Sequence, residues 1–181
     1  MMTPEKLRQI YGNPTKAAEE KVISHLDWHC QNFIKNSSLV ILASSNGKNL
    51  DISPKGVSES CVKIENDKTL ALPDRPGNNR IDGLLNIIRQ PQVSLLFFVF
   101  SVNEKLRIQG KATIVDTEKI CSKFALNGKV PKTVTIINVE KAFFHCGKAL
   151  SKSKVWQPSS WPVKRPIDSL TTIINKHKRL N

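Results

Sequence analysis

Residues 39–53 read LVILASSNGKNLDIS. The aliphatic run Leu39-Val40-Ile41-Leu42 leads into Asn46-Gly47, the strongest two-residue hairpin signal because both residues accept positive φ, and the chain returns through Asn49 to Ser53. A second hairpin follows, with Cys61-Val62-Lys63-Ile64 and Thr69-Leu70-Ala71-Leu72 flanking the polar turn Glu65–Lys68. Val93–Phe100 is nearly all apolar, which predicts a strand buried on both faces, and Lys105–Val115 alternates as its neighbour. Thr133–Phe144 is β-branched and aromatic, as a last long strand would be. Between these runs the pattern allows only short helices, over Ile81–Arg89 with Leu84, Leu85 and Ile88 turned inward, and over Glu118–Leu126. The expected class is mainly β (α+β). Six or so antiparallel strands with flanking helices close most economically into a small barrel, with an open sheet as the weaker alternative.

Outward from the strands, Thr3 caps a first helix with Pro4 at its first position and Gly12 at its end. Asn13-Pro14 opens a longer one whose stripe Val22, Leu26, Cys30 and Phe33 faces the core, stopped by Lys35-Asn36-Ser37. The tail from Ser151 is basic and Pro-interrupted, with a helix expected over Ile167–Lys178. The organisation predicted is one domain over residues 1–181, with a helical segment 1–36 and a basic tail 157–181. The chain has 28 Lys+Arg against 15 Asp+Glu, a net charge of +13, so a phosphate-bearing partner or a solvated lysine face has to account for the excess. No run approaches the ~18 apolar residues of a membrane span, and the start MMTPEKLRQI has no secretory core, so a cytoplasmic protein without membrane partners is expected. Cys30, Cys61, Cys121 and Cys146 are widely spaced, with no C-x-x-C pair, and are expected to be reduced with no metal bound. His25 and His29 stand at i and i+4, but Leu26 occupies the place of the glutamate in the helical zinc motif. G-x-S-x-G, P-loop and G-x-G-x-x-G patterns are absent.

Three stretches carry candidate chemistry. In Pro73-Asp74-Arg75-Pro76-Gly77-Asn78-Asn79-Arg80, two prolines and a glycine fix the path, and two guanidinium groups, two amides and the N–H groups of a helix start are all within reach of one dianion. The competing reading is a rigid surface turn in which Asp74 pairs with an arginine and Asn79 caps the helix. Ser53-Pro54-Lys55-Gly56 places a hydroxyl and a lysine after a strand, common turn chemistry that gains meaning only beside the arginine loop. The stretch 145–156, HCGKALSKSKVW, surrounds two serines with cations, as an electrostatic clamp or as a basic edge that discourages strand pairing. His145 and Cys146 are neighbours on a strand and point to opposite faces, so they do not form a nucleophile–base couple.

The order SPKG, TLALPDRPGNNRIDGLLNII, QPQVSLLFFV, LRIQGKATI and FFHCGKAL-SKSKVWQPSSW resembles the pyridoxamine 5'-phosphate oxidase-like flavoproteins, in a subgroup with a PDRPGN-x-R signature, over about Val22 to Trp161. The resemblance implies a split β-barrel that binds FMN at a homodimer interface. It implies that Asp74, Arg75, Asn78, Asn79 and Arg80 form the phosphate loop, that Ser53 and Lys55 neighbour it across the barrel, and that Lys105 lies near the flavin edge. The segment with Lys148, Ser153 and Trp156 would close the site. The connection between phosphate strand and helix departs from the pyridoxamine phosphate oxidases proper, and their arginine-rich C-terminal substrate segment is absent from this tail, which argues against vitamin B6 oxidation. Haem, bound by other split-barrel relatives, would need an axial histidine, and His145 is the one late candidate.

The expected function is an FMN-dependent oxidoreductase acting on a small molecule by hydride transfer through flavin N5, with no side chain marked as general acid or base. A flavin-binding sensor without turnover is the alternative. A basic nucleic-acid-binding barrel is the third reading, and the 6% aromatic content, much of it in apolar runs such as Phe97-Phe98, speaks against specific nucleic-acid binding.

Overall fold

The computed structural model describes residues 1–58 and 60–180. Seven strands, β1 (Leu39–Ser45), β2 (Leu50–Gly56), β3 (Lys63–Asn66), β4 (Thr69–Pro73), β5 (Gln92–Phe98), β6 (Lys105–Val115) and β7 (Val134–His145), pair antiparallel in the order β2-β1-β5-β6-β7-β4-β3. The sheet curls into a split β-barrel. Both expected hairpins are present. In the first, Asn46 Oδ1 accepts from the N–H groups of Lys48 and Asn49, and Gly47 takes φ 87°.

Strand periodicity sorts the side chains into two faces. The inner face carries Val40, Leu42, Leu95, Phe97, Leu106, Ile108 and Ala142, all essentially buried. The helix α3 (Trp28–Lys35) plugs this core with Cys30 and Ile34, and burial pushes the Cys30 thiol up to about 12. Among the described residues the outer face carries a second, smaller core at the β4 end. There α5 (Glu118–Cys121) and a 3-10 turn (Ser122–Phe124) pack Cys121 and Phe124 on Ala71 and Val134.

Several elements differ from the reading of the sequence. The single helix expected from Asn13 to Phe33 is two, α2 (Lys16–Glu20) and α3, preceded by α1 (Pro4–Tyr11) with its Thr3 cap. The break has a cause on β7. Its pairing with β4 stops at Asn138, and Ile23 takes up the exposed backbone of Ala142 through two hydrogen bonds of 3.0 and 2.8 Å. Asp27 then restarts the helix by accepting from Cys30 N–H at 2.8 Å. In α4 (Asp82–Arg89), Asn86 and Ile87 face the barrel, whereas Leu85 and Ile88 are 43% and 72% exposed. Ile81 at the N-cap takes a left-handed conformation, φ 52°, which sets the helix rotation, and Gly83 lies so close that a Cβ there would be 2.8 Å from Asp51 Oδ2. The expected strand over Val93–Phe100 ends at Phe98, and only Val93, Leu95 and Phe97 are buried, while Ser94, Leu96 and Phe98 are half-buried on the uncovered outer face. The helix expected over Glu118–Leu126 is the short α5 and its 3-10 turn. At the end of the chain come α6 (Lys148–Ser153) and α7 (Leu170–His177), neither with a buried residue. No helix among the described residues is long and apolar enough to cross a membrane.

The longest pairing, β6 with β7, shifts register between Gln109 and Gly110. A Cβ on Gly110 would run into the carbonyl of Asn138, which is backbone and has nowhere to go. Gly110→Ala is therefore expected to cost about 3 kcal/mol in a urea titration, at the upper end of overpacking costs, while the exposed Lys111→Ala stays within about 0.5 kcal/mol.

Candidate functional site

Two groups of candidate residues emerge, on opposite faces of the sheet. The register pairs Leu42 with Ser53 and Val40 with Lys55, so Ser53 and Lys55 share with Asp51 and Ser44 the face on which α4 packs. The 73–80 loop reaches α4 from the end of β4, and residues 76–80 are exposed. Within it, Asn78 Oδ1 accepts from Arg80 N–H at 3.1 Å, and Asn79 takes φ 59°. The Arg80 guanidinium pairs with Asp82 at 2.8 Å, an exposed contact that an incoming anion can replace. Arg75 reaches the other way, its Nη1 donating to the Phe124 carbonyl at 2.9 Å, which ties the loop to the small outer core. Asp74 makes no ion pair among the described residues; its backbone N–H donates to Thr133 O, and Ile81 occupies the cap expected of Asn79.

The second group lies outside. Across β2, β1, β5, β6 and β7 the outer face places Ile52 beside Ala43, Ile41 beside Leu96, Leu96 beside Arg107, and Arg107 beside Phe143. A cavity of about 280 Å³ opens there, lined by Ile41, Ala43, Ile52, Ser94 and Leu96, with Lys105, Arg107 and His145 at one end. Leu50 and Ile52 are 82% and 71% exposed at its rim. Lys105 stands opposite His145 and is nearly buried; its Nζ donates to the Cys146 carbonyl at 2.6 Å and the Asn103 carbonyl at 3.3 Å. Phe143 stacks at a tilt on His145, with Lys21 and Arg107 within 6 Å of its ring. His145 Nε2 is buried and without a partner among the described residues. Burial holds the imidazole below its ordinary pKa, and Lys21, Arg107 and Lys105 push it the same way.

The remaining candidates flank this end. Trp156 donates Nε1–H to the Val102 carbonyl at 3.0 Å and packs edge-on against Phe100, which brings the segment after β7 to the start of β6. Lys148 begins α6, and the Ser153 hydroxyl bonds within that helix to Leu150 O. Arg107 and the apolar floor were not singled out from the sequence. Alternation along β6 puts Lys105 and Arg107 on one face, but only the register of β6 with β7 sets His145 beside them.

Residues 26–146 match the pyridoxamine 5'-phosphate oxidase family model. HupZ from Group A Streptococcus is 25% identical with a TM-score of 0.53, over 65% of this chain and 92% of that one. A variant of HupZ aligns with a TM-score of 0.54 at the same identity, over 66% and 99%. A pyridoxamine 5'-phosphate oxidase-like protein from Lactobacillus delbrueckii is similar in fold, with 20% identity and a TM-score of 0.53 over 67% and 99%. No curated protein sequence matches the chain.

A histidine whose folded pKa is depressed binds fewer protons than in the unfolded chain, so stability falls as pH drops through its ordinary value near 6.5. Urea midpoints measured between pH 7.5 and 5.5 are expected to decline less steeply in His145→Gln than in the wild type.

Proposed function

The chain belongs to the pyridoxamine 5'-phosphate oxidase family, and from that premise we propose that it is an FMN-binding flavoprotein, a homodimer that carries out flavin-dependent oxidation or reduction of a small molecule. The observation that carries the reading is the uncovered outer face. Leu50, Ile52, Ile41, Leu96 and Phe98 form a contiguous apolar strip that one chain leaves open, and a flat ring held between two copies would cover it.

The residues present suit the cofactor. The exposed loop offers Arg80, Asn78 and Asn79 as side-chain donors for a phosphate, with Arg75 at its base and Ser53 and Lys55 on the same side of β2. The acidic members, Asp74 and Asp82, orient the loop rather than the anion: Asp82 keeps Arg80 extended until phosphate takes its place. On the outer face the aliphatic floor excludes water, and the nearly buried ammonium of Lys105 puts positive charge at the flavin edge, where it would stabilise a reduced, anionic ring. Trp156 and the segment from Lys148 to Ser153 close that end. When bound, FMN would supply hydride transfer at N5.

The test is the visible spectrum of the purified protein together with its mass by light scattering at low micromolar concentration. Flavin bands and a dimer mass are expected; a colourless protein that refuses added FMN, or a monomer that holds FMN tightly, overturns the reading. Arg80→Ala and Arg75→Ala are each expected to weaken FMN binding by about 1.5–3 kcal/mol, the range for hydrogen bonds to charged groups. Arg75→Ala should also lower the melting temperature, because the Phe124 carbonyl loses its donor. Unchanged affinity in both variants would show that the phosphate lies elsewhere.

A further inference from the structure

The chain from Trp161 to Leu180 takes no part in the site described above. Its root is fixed: Trp161 donates Nε1–H to the Val155 carbonyl at 2.9 Å, and the Ser160 hydroxyl bonds the Lys154 carbonyl at 2.8 Å. Beyond the root, the hydrogen bonds of the described residues stay inside the segment. Arg165 donates to the Ile167 and Asp168 carbonyls, Ser169 caps α7, and Lys176 pairs with Asp168 at 2.6 Å. Every residue from Trp161 to Leu180 is exposed except Ile173, which is half-buried.

Two kinds of side chain are exposed there together. Trp161, Val163, Ile167, Leu170, Ile174 and Leu180 have exposures between 44% and 101%. Within α7, Leu170, Ile173 and Ile174 follow the i, i+3, i+4 spacing of one helix face, with Thr171, Thr172, Asn175 and Lys176 on the other. Among these apolar groups stand five cations, Lys164, Arg165, Lys176, Lys178 and Arg179, against the single carboxylate of Asp168, a net charge of +4. That carboxylate is already paired with Lys176, so nothing acidic in the segment answers the others.

The combination selects the partner. A nucleic-acid duplex would answer the cations and leave six apolar side chains in water. A second copy of this chain, itself at +13, could cover the apolar groups but would meet the cations with like charge. The headgroup region of an anionic bilayer does both, taking apolar side chains and an indole ring at its boundary and offering phosphate and carboxylate groups to lysine and arginine.

We propose that the segment Trp161–Leu180 docks the protein on an anionic lipid bilayer, with Trp161, Ile167, Leu170 and Ile174 entering the interface and Lys164, Lys178 and Arg179 lying among the headgroups. The absence of a spanning run, from which no membrane partner is expected, does not bear on a segment that lies in the plane of the interface. The docking uses none of the residues assigned to FMN and stands apart from the flavoprotein reading.

The experiment is sedimentation of the full chain with vesicles of phosphatidylcholine alone and of phosphatidylcholine with one third phosphatidylserine, at near-physiological salt. Partitioning onto the phosphatidylserine vesicles is expected to be about tenfold or more stronger, and to weaken as salt is raised. Two double variants divide the contributions, Lys178→Glu with Arg179→Glu for the charge and Leu170→Gln with Ile174→Gln for the apolar face. Each should lower the partitioning about tenfold with the melting temperature of the protein unchanged, because α7 buries nothing. Equal partitioning of the wild type onto the two kinds of vesicle overturns the proposal. So does binding that falls on charge reversal but is unmoved by the Leu170 and Ile174 changes, which would be charge attraction alone. Tighter binding of a short DNA duplex than of the phosphatidylserine vesicles at the same salt would assign the segment to nucleic acid and overturn it as well.

Discussion

The rest of the molecule depends on the pairing of β6 with β7 and on the bulge it carries. The two strands run side by side from Lys105 opposite His145 to Val115 opposite Val134, and the register shifts once, where Gly110 meets Val139 and Glu140 is the extra residue. Glycine is required there because the Asn138 carbonyl fills the place of a Cβ. The shift changes which β7 residues face the core. Beyond it Ala142 and Phe144 point inward, and before it Thr135, Ile137 and Val139 do. A straight strand of this sequence would have turned half of its apolar residues to the wrong side.

Closure follows from the same arrangement. The half of β7 before the bulge accepts β4 and so joins the second hairpin to the first, while the half beyond it has a free edge that Ile23 fills. The outer face is divided accordingly. Next to β4 it is sealed by Cys121 and Phe124, and Arg75 anchors its loop to that seal; across β2, β1 and β5 it is left as an aliphatic surface with a cationic end. One sheet thus holds a closed core on its inner side and an open aliphatic surface on its outer side.

That division separates the two kinds of charge. The arginine loop is exposed and attached to a helix start, suited to an anion arriving from solvent. The charge beside His145 is set among aromatic rings and carbonyl oxygens, where the lower dielectric strengthens its interaction with any neighbouring charge. A net charge of +13 is therefore partly concentrated at two places and partly spread over exposed segments such as α1, with Lys6 and Arg8 against Glu5, and α7, with Lys176, which contribute nothing buried.

The amino-acid sequence by itself determined the strands, the hairpin turns and the class of fold, because period-two alternation and Asn-Gly are local signals whose physics lies within a few residues. The Glu140-Lys141 pair, consecutive and both exposed, is the local mark of the bulge, though its meaning needs the partner strand. The PDRPGNNR loop was legible as a phosphate candidate from its composition, but the directions of its arginines were not, since Phe124 and Asp82 reach them through the fold. The helix break at Ile23 and the seating of α4 were decided by tertiary contacts, a free strand edge in one case and the close approach of Gly83 to Asp51 in the other. His145 with Arg107 was decided by structure alone: the two are 38 positions apart, and only the register of β6 on β7 sets imidazole and guanidinium against the same phenyl ring.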